Sequence, residues 1–262
     1  MTYELISGYV TAPSTTLTDL TMNSTDSLRI RHFDPGKRAF LQALWTLNQG
    51  AGEIVVKSPK MHDAVQNIKL QCPANFNFPM LPLDNPTQVY SDDLLTVQLS
   101  GSATAGDVEI ACLLIAYEDM PASQGRYIDN AELKQRTKNL LTIKCDLGTL
   151  TSAGYQGAQS IIADNDLLKA GTDYAILGAT SNLEVGAICL RGADTGNLRI
   201  GLPTDSTFFP ECANWFAWLS DQTGQKTIPV MNSENKNNTY VEVVKNETSQ
   251  AVILYVTLAE LG

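Results

Sequence analysis

The residues best able to act as a general acid or base near neutral pH are the two histidines, His32 and His62. Neither has a spacing that singles out a serine or cysteine nucleophile with a supporting carboxylate, as nucleophilic catalysis requires. The motifs G-x-S-x-G, G-x-x-x-x-G-K-[ST] and G-x-G-x-x-G do not occur. No histidine follows His62, which argues against two tandem metal-binding cupin barrels. We therefore predict that the chain is not an enzyme.

Carboxylates are the other groups that could hold an ion, because Ca²⁺ prefers several oxygen ligands. The candidates are adjacent pairs and loop acids: Asp92 with Asp93, Glu118 with Asp119, and Asp164, Asp166 and Asp205. The calcium-loop spacing D-x-[DN]-x-[DN]-G is absent, so solvated loop acids are the simpler interpretation. A structural Ca²⁺ is kept as an open alternative, and no other cofactor is expected.

The cysteines do not suggest a zinc site or a disulfide framework. They are odd in number and none forms a C-x-x-C pair, which both kinds of site would favour. Most stand among apolar neighbours, where a free cysteine behaves as a small buried hydrophobe. We predict inert core thiols in a reducing compartment. The five are Cys72, Cys112, Cys145, Cys189 and Cys212.

One aromatic cluster, Trp215, Phe216 and Trp218, has two interpretations. Aromatic faces can stack on sugar rings, which would make the cluster a carbohydrate-binding platform. The stretch is predicted to be a strand, so Phe216 and Trp218 would point to one face and Trp215 to the other. At least one ring would then be buried, which favours packing in the core or at a subunit interface.

The bulk composition is that of a globular protein. The chain has 262 residues, enough for one large domain or two of about 130, with 44% hydrophobic and 18% charged residues. The net charge of −10 argues against a general grip on nucleic acid, which depends on lysine and arginine. No apolar run approaches the ~18 residues of a membrane helix, and no signal-peptide pattern opens the chain. Synthesis in a cytoplasm is the expectation.

A repeated stretch organises these residues. Residues 67–73 (NIKLQCP) and 197–203 (NLRIGLP) share the order asparagine, aliphatic, base, aliphatic, any residue, apolar, proline. The flanking segments also correspond, with offsets that drift from 130 to 141 residues, as expected when loops change length and strands do not. We infer two copies of one β-rich unit. The flanking pairs are 35–41 with 170–176, 54–57 with 188–191, and 109–120 with 250–261.

Many short apolar segments at a spacing of about 8–14 residues predict a β-sandwich or barrel rather than βαβ units. Residues 129–140 differ, because Asp129 or Asn130 can cap a helix whose acidic residue comes first and whose basic residues come last. The predicted fold is all-β, with two tandem jelly-roll β-sandwich domains and a short linking helix. The predicted segments are an N-terminal arm and first strand (1–27), a first jelly roll (28–128), the linking helix (129–140) and a second jelly roll (141–262).

This organisation resembles the double jelly-roll major capsid proteins of tailless, membrane-containing icosahedral bacteriophages. The resemblance rests on the internal repeat, on the matching ends at 111–120 and 252–261, and on the connections rich in Asn, Thr, Gly and Pro. It covers the chain from about residue 25. The loops are short, so no tower domain is expected.

The resemblance implies a function and partners. Three copies would form a homotrimer with a pseudo-sixfold outline, and such trimers would tile an icosahedral shell. Further partners would be a penton or minor capsid protein and an underlying lipid membrane, with no sequence-specific binding of nucleic acid. The protein would be made in the host cytoplasm and reside in the virion. The alternative is a carbohydrate-binding or receptor-binding β-sandwich protein that uses Trp215, Phe216 and Trp218.

Overall fold

The structure is a computed structural model. It describes residues 2–20, 30–60, 68–72, 74, 76–77, 87–118, 125–151, 155–161, 168–183, 185–195, 199–202, 212–234, 239–244 and 251–262. All statements below concern these residues.

The first half of the chain is built of antiparallel strands. Short apolar and alternating segments separated by Gly, Pro and Asp turns form them, as the sequence predicts. The strands are β1 (Thr2–Thr11), β2 (Thr18–Asp19), β3 (Ala39–Asn48), β4 (Gly52–Lys57), β5 (Ile68–Cys72), β6 (Phe76–Asn77), β7 (Thr87–Val89), β8 (Thr96–Leu99) and β9 (Val108–Tyr117).

The second half repeats this plan, preceded by a short edge strand and a helix. Its elements are β10 (Tyr127–Ile128), α1 (Asn130–Arg136), β11 (Thr137–Thr149), β12 (Tyr155–Ser160), β13 (Asp173–Ser181), β14 (Ala187–Gly192), β15 (Ile200–Leu202), α2 (Trp215–Thr223), β16 (Ile228–Asn232), β17 (Thr239–Val244) and β18 (Ala251–Leu261), with short 3₁₀ turns at Ala193–Thr195 and Cys212–Asn214.

Four sheets result, two in each half. Sheet A has the order β1-β9-β3-β6, with β7 also paired to β3, and sheet B has the order β2-β8-β4-β5. Sheet C has the order β12-β17-β14-β15, and sheet D has the order β10-β16-β13-β18-β11. Without the two-residue strands β6 and β10, each half has eight strands. Numbered within its own half, each set has strands 1, 8, 3 and 6 in one sheet (A or D). Strands 2, 7, 4 and 5 form the other sheet (B or C). This is the jelly-roll arrangement, so the predicted fold class is confirmed.

A β-bulge found in both halves fixes how the two copies correspond. The register of β3 against β9 shifts between Leu41 and Ala43. The register of β13 against β18 shifts between Ile176 and Gly178, which are 135 positions after Leu41 and Ala43. The residues opposite the start of each bulge, Ile115 and Leu258, are 143 positions apart. The repeat read from the sequence has an offset of 141 between these last strands, which differs from the structural offset by two residues. A shift of two leaves every side chain on the predicted face.

The linking helix is shorter than predicted. Asp129 caps α1, accepting a 2.8 Å hydrogen bond from the backbone N–H of Glu132, but the helix ends at Arg136 and Thr137 begins β11. The predicted helical residues 137–140 therefore belong to a strand. They pair with the last residues of β18, and that pairing overrides the helical charge pattern.

The prediction of a strand at residues 215–219 is wrong, because these residues open the helix α2. Gly224 ends the helix in the left-handed conformation, at φ 63°, where glycine is the favoured residue. The buried side chains of Trp215, Phe216 and Leu219 recur at helical spacing. A short apolar run cannot be assigned to strand or helix by periodicity alone, which is how the error arose.

Candidate functional site

The contact between the two sandwiches is the largest feature that the fold adds to the repeat. Strand β9 is buried on both faces along its whole length. Its residues at 111, 113, 115 and 117 belong to the core between sheets A and B, whereas those at 108, 110, 112, 114 and 116 belong to a core shared with the second sandwich. The four sheets therefore stack in the order B, A, C, D, with sheet A of the first sandwich packed on sheet C of the second.

Two glycines let the sheets approach closely. A Cβ atom added to Gly201 in β15 would lie 2.7 Å from the Cβ of Leu5 in β1, and one added to Gly186 would lie 3.0 Å from the Cγ2 of Ile110. The backbone N–H of Leu5 also donates a 2.6 Å hydrogen bond to the carbonyl of Arg199. Edge strand β1 is therefore held against the segment that leads into β15.

Two polar contacts join the sandwiches here. The Tyr155 hydroxyl donates to Ser7 Oγ at 3.1 Å, and the Cys112 thiol contacts the Gly186 carbonyl oxygen at 3.5 Å. Burial raises the pKa of the Cys112 thiol to about 12, so this cysteine is a neutral thiol at physiological pH. Cys72, Cys112, Cys145 and Cys189 are all free and buried, which confirms the prediction of core thiols for these four.

A buried ion pair lies in the same contact. Arg199 Nε is 2.5 Å from Glu242 Oε1, and each side chain is only 4% exposed. The Arg199 guanidinium also lies 4.1 Å from the centre of the Tyr155 ring, within cation–π distance. Arg191 Nε approaches the same Glu242 oxygen at 3.5 Å. The charge of Glu242 is thus matched by two arginines on the face of sheet C that sheet A covers.

The predicted aromatic cluster lies on α2. Trp215 and Phe216 are buried, and Trp218 is half-buried with its ring stacked on Trp215 at a centroid distance of 5.2 Å. A hydrogen bond joins the side chain of Thr223, in the last turn of α2, to Tyr3 in β1 of the first sandwich. The helix therefore contributes to the contact between the sandwiches.

The candidate carboxylates that the structure describes bind protein groups. Asp92 accepts from His32 Nδ1 at 2.7 Å, Asp93 accepts from Ser58, and Glu118 is held by Arg38 at 2.7 and 3.0 Å. Within the described ranges, no group of three or more metal-ligating side chains occurs. The remaining candidates lie outside the described residues, as does His62: Asp119, Asp164, Asp166 and Asp205.

His32 is the one of the two histidines whose surroundings are described. The hydrogen bond to Asp92 raises the pKa of this exposed histidine. Ser91 Oγ lies 3.4 Å from the same Nδ1 atom that Asp92 binds. In a catalytic triad the serine and the carboxylate occupy opposite nitrogens of the ring, so the arrangement Ser91–His32–Asp92 is not that of a triad.

The residues of the contact between the sandwiches, such as Leu5, Arg199 and Gly201, are not predicted from the sequence. One signal was available for β9, an almost continuous apolar run, but β18 is almost as continuous in sequence and alternates only in its burial. A continuous run indicates a strand buried on both faces. The identity of the covering surface depends on the three-dimensional arrangement of the two copies and is not readable from that run.

Comparison with known proteins gives only loose likenesses. No family model and no curated protein matches the chain. The PBSX exported protein XepA is similar at 9% identity and a TM-score of 0.28, over 98% of this chain and 86% of that one. The major capsid protein P2 of bacteriophage PM2 is similar at 8% identity and a TM-score of 0.23, over 98% of both chains.

The stem and receptor-binding domain of spike protein P1 from bacteriophage PM2 is similar at 8% identity and a TM-score of 0.14, over 99% of this chain and 79% of that one. Superpositions this loose carry no argument about function. Of the helices in the described part of the chain, neither is long and apolar enough to cross a membrane.

Proposed function

We propose that this chain is a viral structural protein, the major capsid subunit of an icosahedral virus, and that it acts as a pseudo-hexameric homotrimer. The observation that carries the proposal is the head-to-tail joining of two jelly rolls with the same strand order, in which sheet A of the first packs on sheet C of the second. This is the architecture that the family resemblance implies.

The head-to-tail contact suggests how copies would associate. It joins two different surfaces of one repeated unit, which is a heterologous contact. Such a contact leaves the opposite surfaces, sheet B at one end and sheet D at the other, available to bind further units. A heterologous contact that repeats either closes into a ring or continues as a filament. In the proposed trimer, closure takes six units, which are supplied by three chains.

The proposed role works by packing and requires neither catalysis nor a cofactor. The net charge of −10 suits a shell that lies apart from the genome, separated from it by a lipid membrane or by other proteins. The proposed partners beyond the trimer are neighbouring trimers of the lattice and a penton or minor capsid protein. The proposed location is the virion, after synthesis in the host cytoplasm.

No observation favours the carbohydrate-binding alternative. The three aromatic residues lie on the helix α2, where Trp215 and Phe216 are buried. The Trp215 ring is 2% exposed and stacked against Trp218, so it does not present a face to a sugar.

The direct test of the proposal is the mass of the purified chain in solution, measured by light scattering during size-exclusion chromatography over a range of concentrations. One chain has a mass of 28.5 kDa, so a trimer has 3 × 28.5 = 85.5 kDa. A species of trimer mass is the expected result. A monomer at every concentration would contradict the proposal.

A further inference from the structure

We propose that the outer face of sheet D in one copy of this chain binds the outer face of sheet B in a second copy. The proposal rests on the proposed trimer and specifies the surfaces that would form it. Its basis is that these two faces are the repeat counterparts of the two faces already packed together within the chain.

The outer face of sheet D is open and partly apolar along β11 and the first part of β18, whereas β13 and β16 are buried on both faces. In β18, Val252, Leu254, Val256 and Leu258 are buried, while the alternate residues are exposed or half-buried. Tyr255, at the middle of this outward row, is 45% exposed. Neighbouring β11 adds an outward row of Leu140, Thr142, Lys144 and Asp146, in which Leu140 is 62% exposed.

The same face is fully covered in the first sandwich. With the offset of 143 fixed by the shared bulge, Tyr255 occupies the position of Cys112, and Ile253 occupies that of Ile110. Cys112 and Ile110 are both 0% exposed, because sheet C of the same chain covers them. The first copy of the unit has this face buried, and the second has it open along β11 and the first part of β18.

Sheet B is the counterpart of the covering sheet. With Ile54 placed on Ile188, the ladders equate Lys57 with Arg191 and Gln98 with Glu242. Both pairs place a cation beside a side-chain oxygen: Lys57 Nζ donates to Gln98 Oε1 at 2.7 Å, and Arg191 Nε lies 3.5 Å from Glu242 Oε1 without a hydrogen bond. The Glu242 side chain is only 4% exposed beneath sheet A, whereas Lys57 on sheet B is exposed.

The equivalence predicts which residues meet across the two copies. Within the chain, Leu5 of β1 contacts Gly201 of β15. Leu5 pairs with Leu114 in sheet A. The counterpart of Leu114, 143 positions later, is Thr257, which pairs with Thr142 in sheet D. Thr142 is therefore the counterpart of Leu5. With Ile54 placed on Ile188, Val55 is the counterpart of Cys189. Cys189 pairs with Gly201 and Val55 pairs with Lys69, so Lys69 is the counterpart of Gly201. Thr142 of one copy is therefore expected opposite Lys69 of the other.

The proposed contact between copies is more polar than its counterpart within the chain. The contact within the chain pairs leucine with glycine, which permits close apolar packing, and the proposed contact pairs threonine with lysine. A polar, less tightly packed contact is typical of subunits that fold separately and then associate. This fits a surface that is stable in solution before the second copy binds.

The first experiment makes the same substitution at two exposed tyrosines. Tyr255→Glu places a charge in the centre of the proposed surface, and Tyr90→Glu is the matched control, because Tyr90 is 39% exposed and follows β7 of sheet A, so it lies on neither sheet B nor sheet D. We expect Tyr255→Glu to raise the concentration needed for trimer formation at least about tenfold. Tyr90→Glu is expected to behave as the original chain does.

The second experiment is independent of any loss of stability caused by Tyr255→Glu. The double variant Thr142→Cys with Lys69→Cys is oxidised and examined on a denaturing gel without reductant. We expect covalent dimers and trimers, because opposed residues within about 3.5–4.5 Å between Cβ atoms form disulfides. Each single variant, Thr142→Cys or Lys69→Cys, is the control and is expected to show neither product.

The outcomes separate this proposal from the proposed function. A trimer that persists in Tyr255→Glu and yields no cross-link in the double variant would overturn the surface and leave the trimer intact. An original chain that is monomeric at every concentration would overturn the proposed function, and this surface with it.

Discussion

Arg199 and Glu242 show how single residues fix the position of one sandwich against the other. Their charges lie on sheet C, beneath sheet A, and removal from water is unfavourable for both ions. The pair is stable there because the two groups contact each other directly and Tyr155 covers the guanidinium. A buried pair of this kind is most sensitive to the loss of one partner, because the remaining charge stays buried.

We predict that Glu242→Ala lowers the free energy of unfolding by about 3–5 kcal/mol, since it leaves Arg199 buried without its carboxylate. Glu132→Ala is the matched control, because Glu132 pairs with Arg136 on the surface of α1, where both side chains are about one-third exposed. It should lower the free energy of unfolding by less than about 1 kcal/mol. Urea unfolding at a fixed protein concentration measures both. Equal losses would show that the Arg199 pair does not stabilise the contact.

Asp173 makes stability depend on pH. The hydrogen bonds from Arg126, with a further one from Asn232, lower the pKa of the Asp173 carboxyl below its ordinary value. A depressed folded-state pKa contributes stability above the unfolded-state pKa of about 3.9, and this stability is lost as pH falls through the folded-state value. The original chain should therefore melt at a higher temperature than Asp173→Asn at pH 6, and the difference should shrink as pH falls below about 4. Parallel melting curves with a constant separation down to pH 2 would count against this role.

Strand β1 shows what the contact requires of whole elements. It pairs with β9 along ten residues and also touches the segment leading into β15 of the other sandwich. The approach depends on Gly201, whose missing side chain is replaced by that of Leu5. The first strand that the sequence predicts within residues 1–27 is thus part of sheet A.

We predict that Gly201→Ala destabilises the chain by about 1–3 kcal/mol, because the added methyl group overlaps Leu5. Leu5→Ala removes the overlapping atoms at the cost of a cavity, about 2–5 kcal/mol on its own. In the double variant, the loss should be smaller than the sum of the two single losses by at least about 0.5 kcal/mol. Additive losses in chemical unfolding would mean that β1 and β15 do not meet at these residues.

At this scale the sequence predicts the repeat and its strands well, because alternation and turn residues are local signals. It fails at α2, where Trp215–Leu219 is too short for its period to be read, and at Thr137, where pairing with β18 overrides a helical charge pattern. Its two matches also disagree: the match of 54–57 with 188–191 makes Gly201 the counterpart of Lys69 through the ladders, whereas the match of 67–73 with 197–203 makes it Arg199. Two identical residues in seven do not fix a register, whereas hydrogen-bonded pairing does.

The whole molecule is a stack of four sheets whose two ends differ. Sheet B and sheet D are the faces that remain at the ends after sheets A and C have packed together. Sheet B is the counterpart of sheet C, and sheet D is the counterpart of sheet A, so each end of the stack carries the counterpart of one side of the internal contact. This difference between the ends is the physical reason for proposing a closed assembly of like copies rather than an isolated subunit.

Electron microscopy of the purified chain, with averaging of single particles, shows whether three chains form a ring of six equivalent jelly rolls. We expect particles with threefold symmetry and six similar lobes around a common centre. Particles with two lobes at every concentration would contradict it, and so would open filaments of regularly spaced lobes, which would mean that the head-to-tail contact repeats without closing.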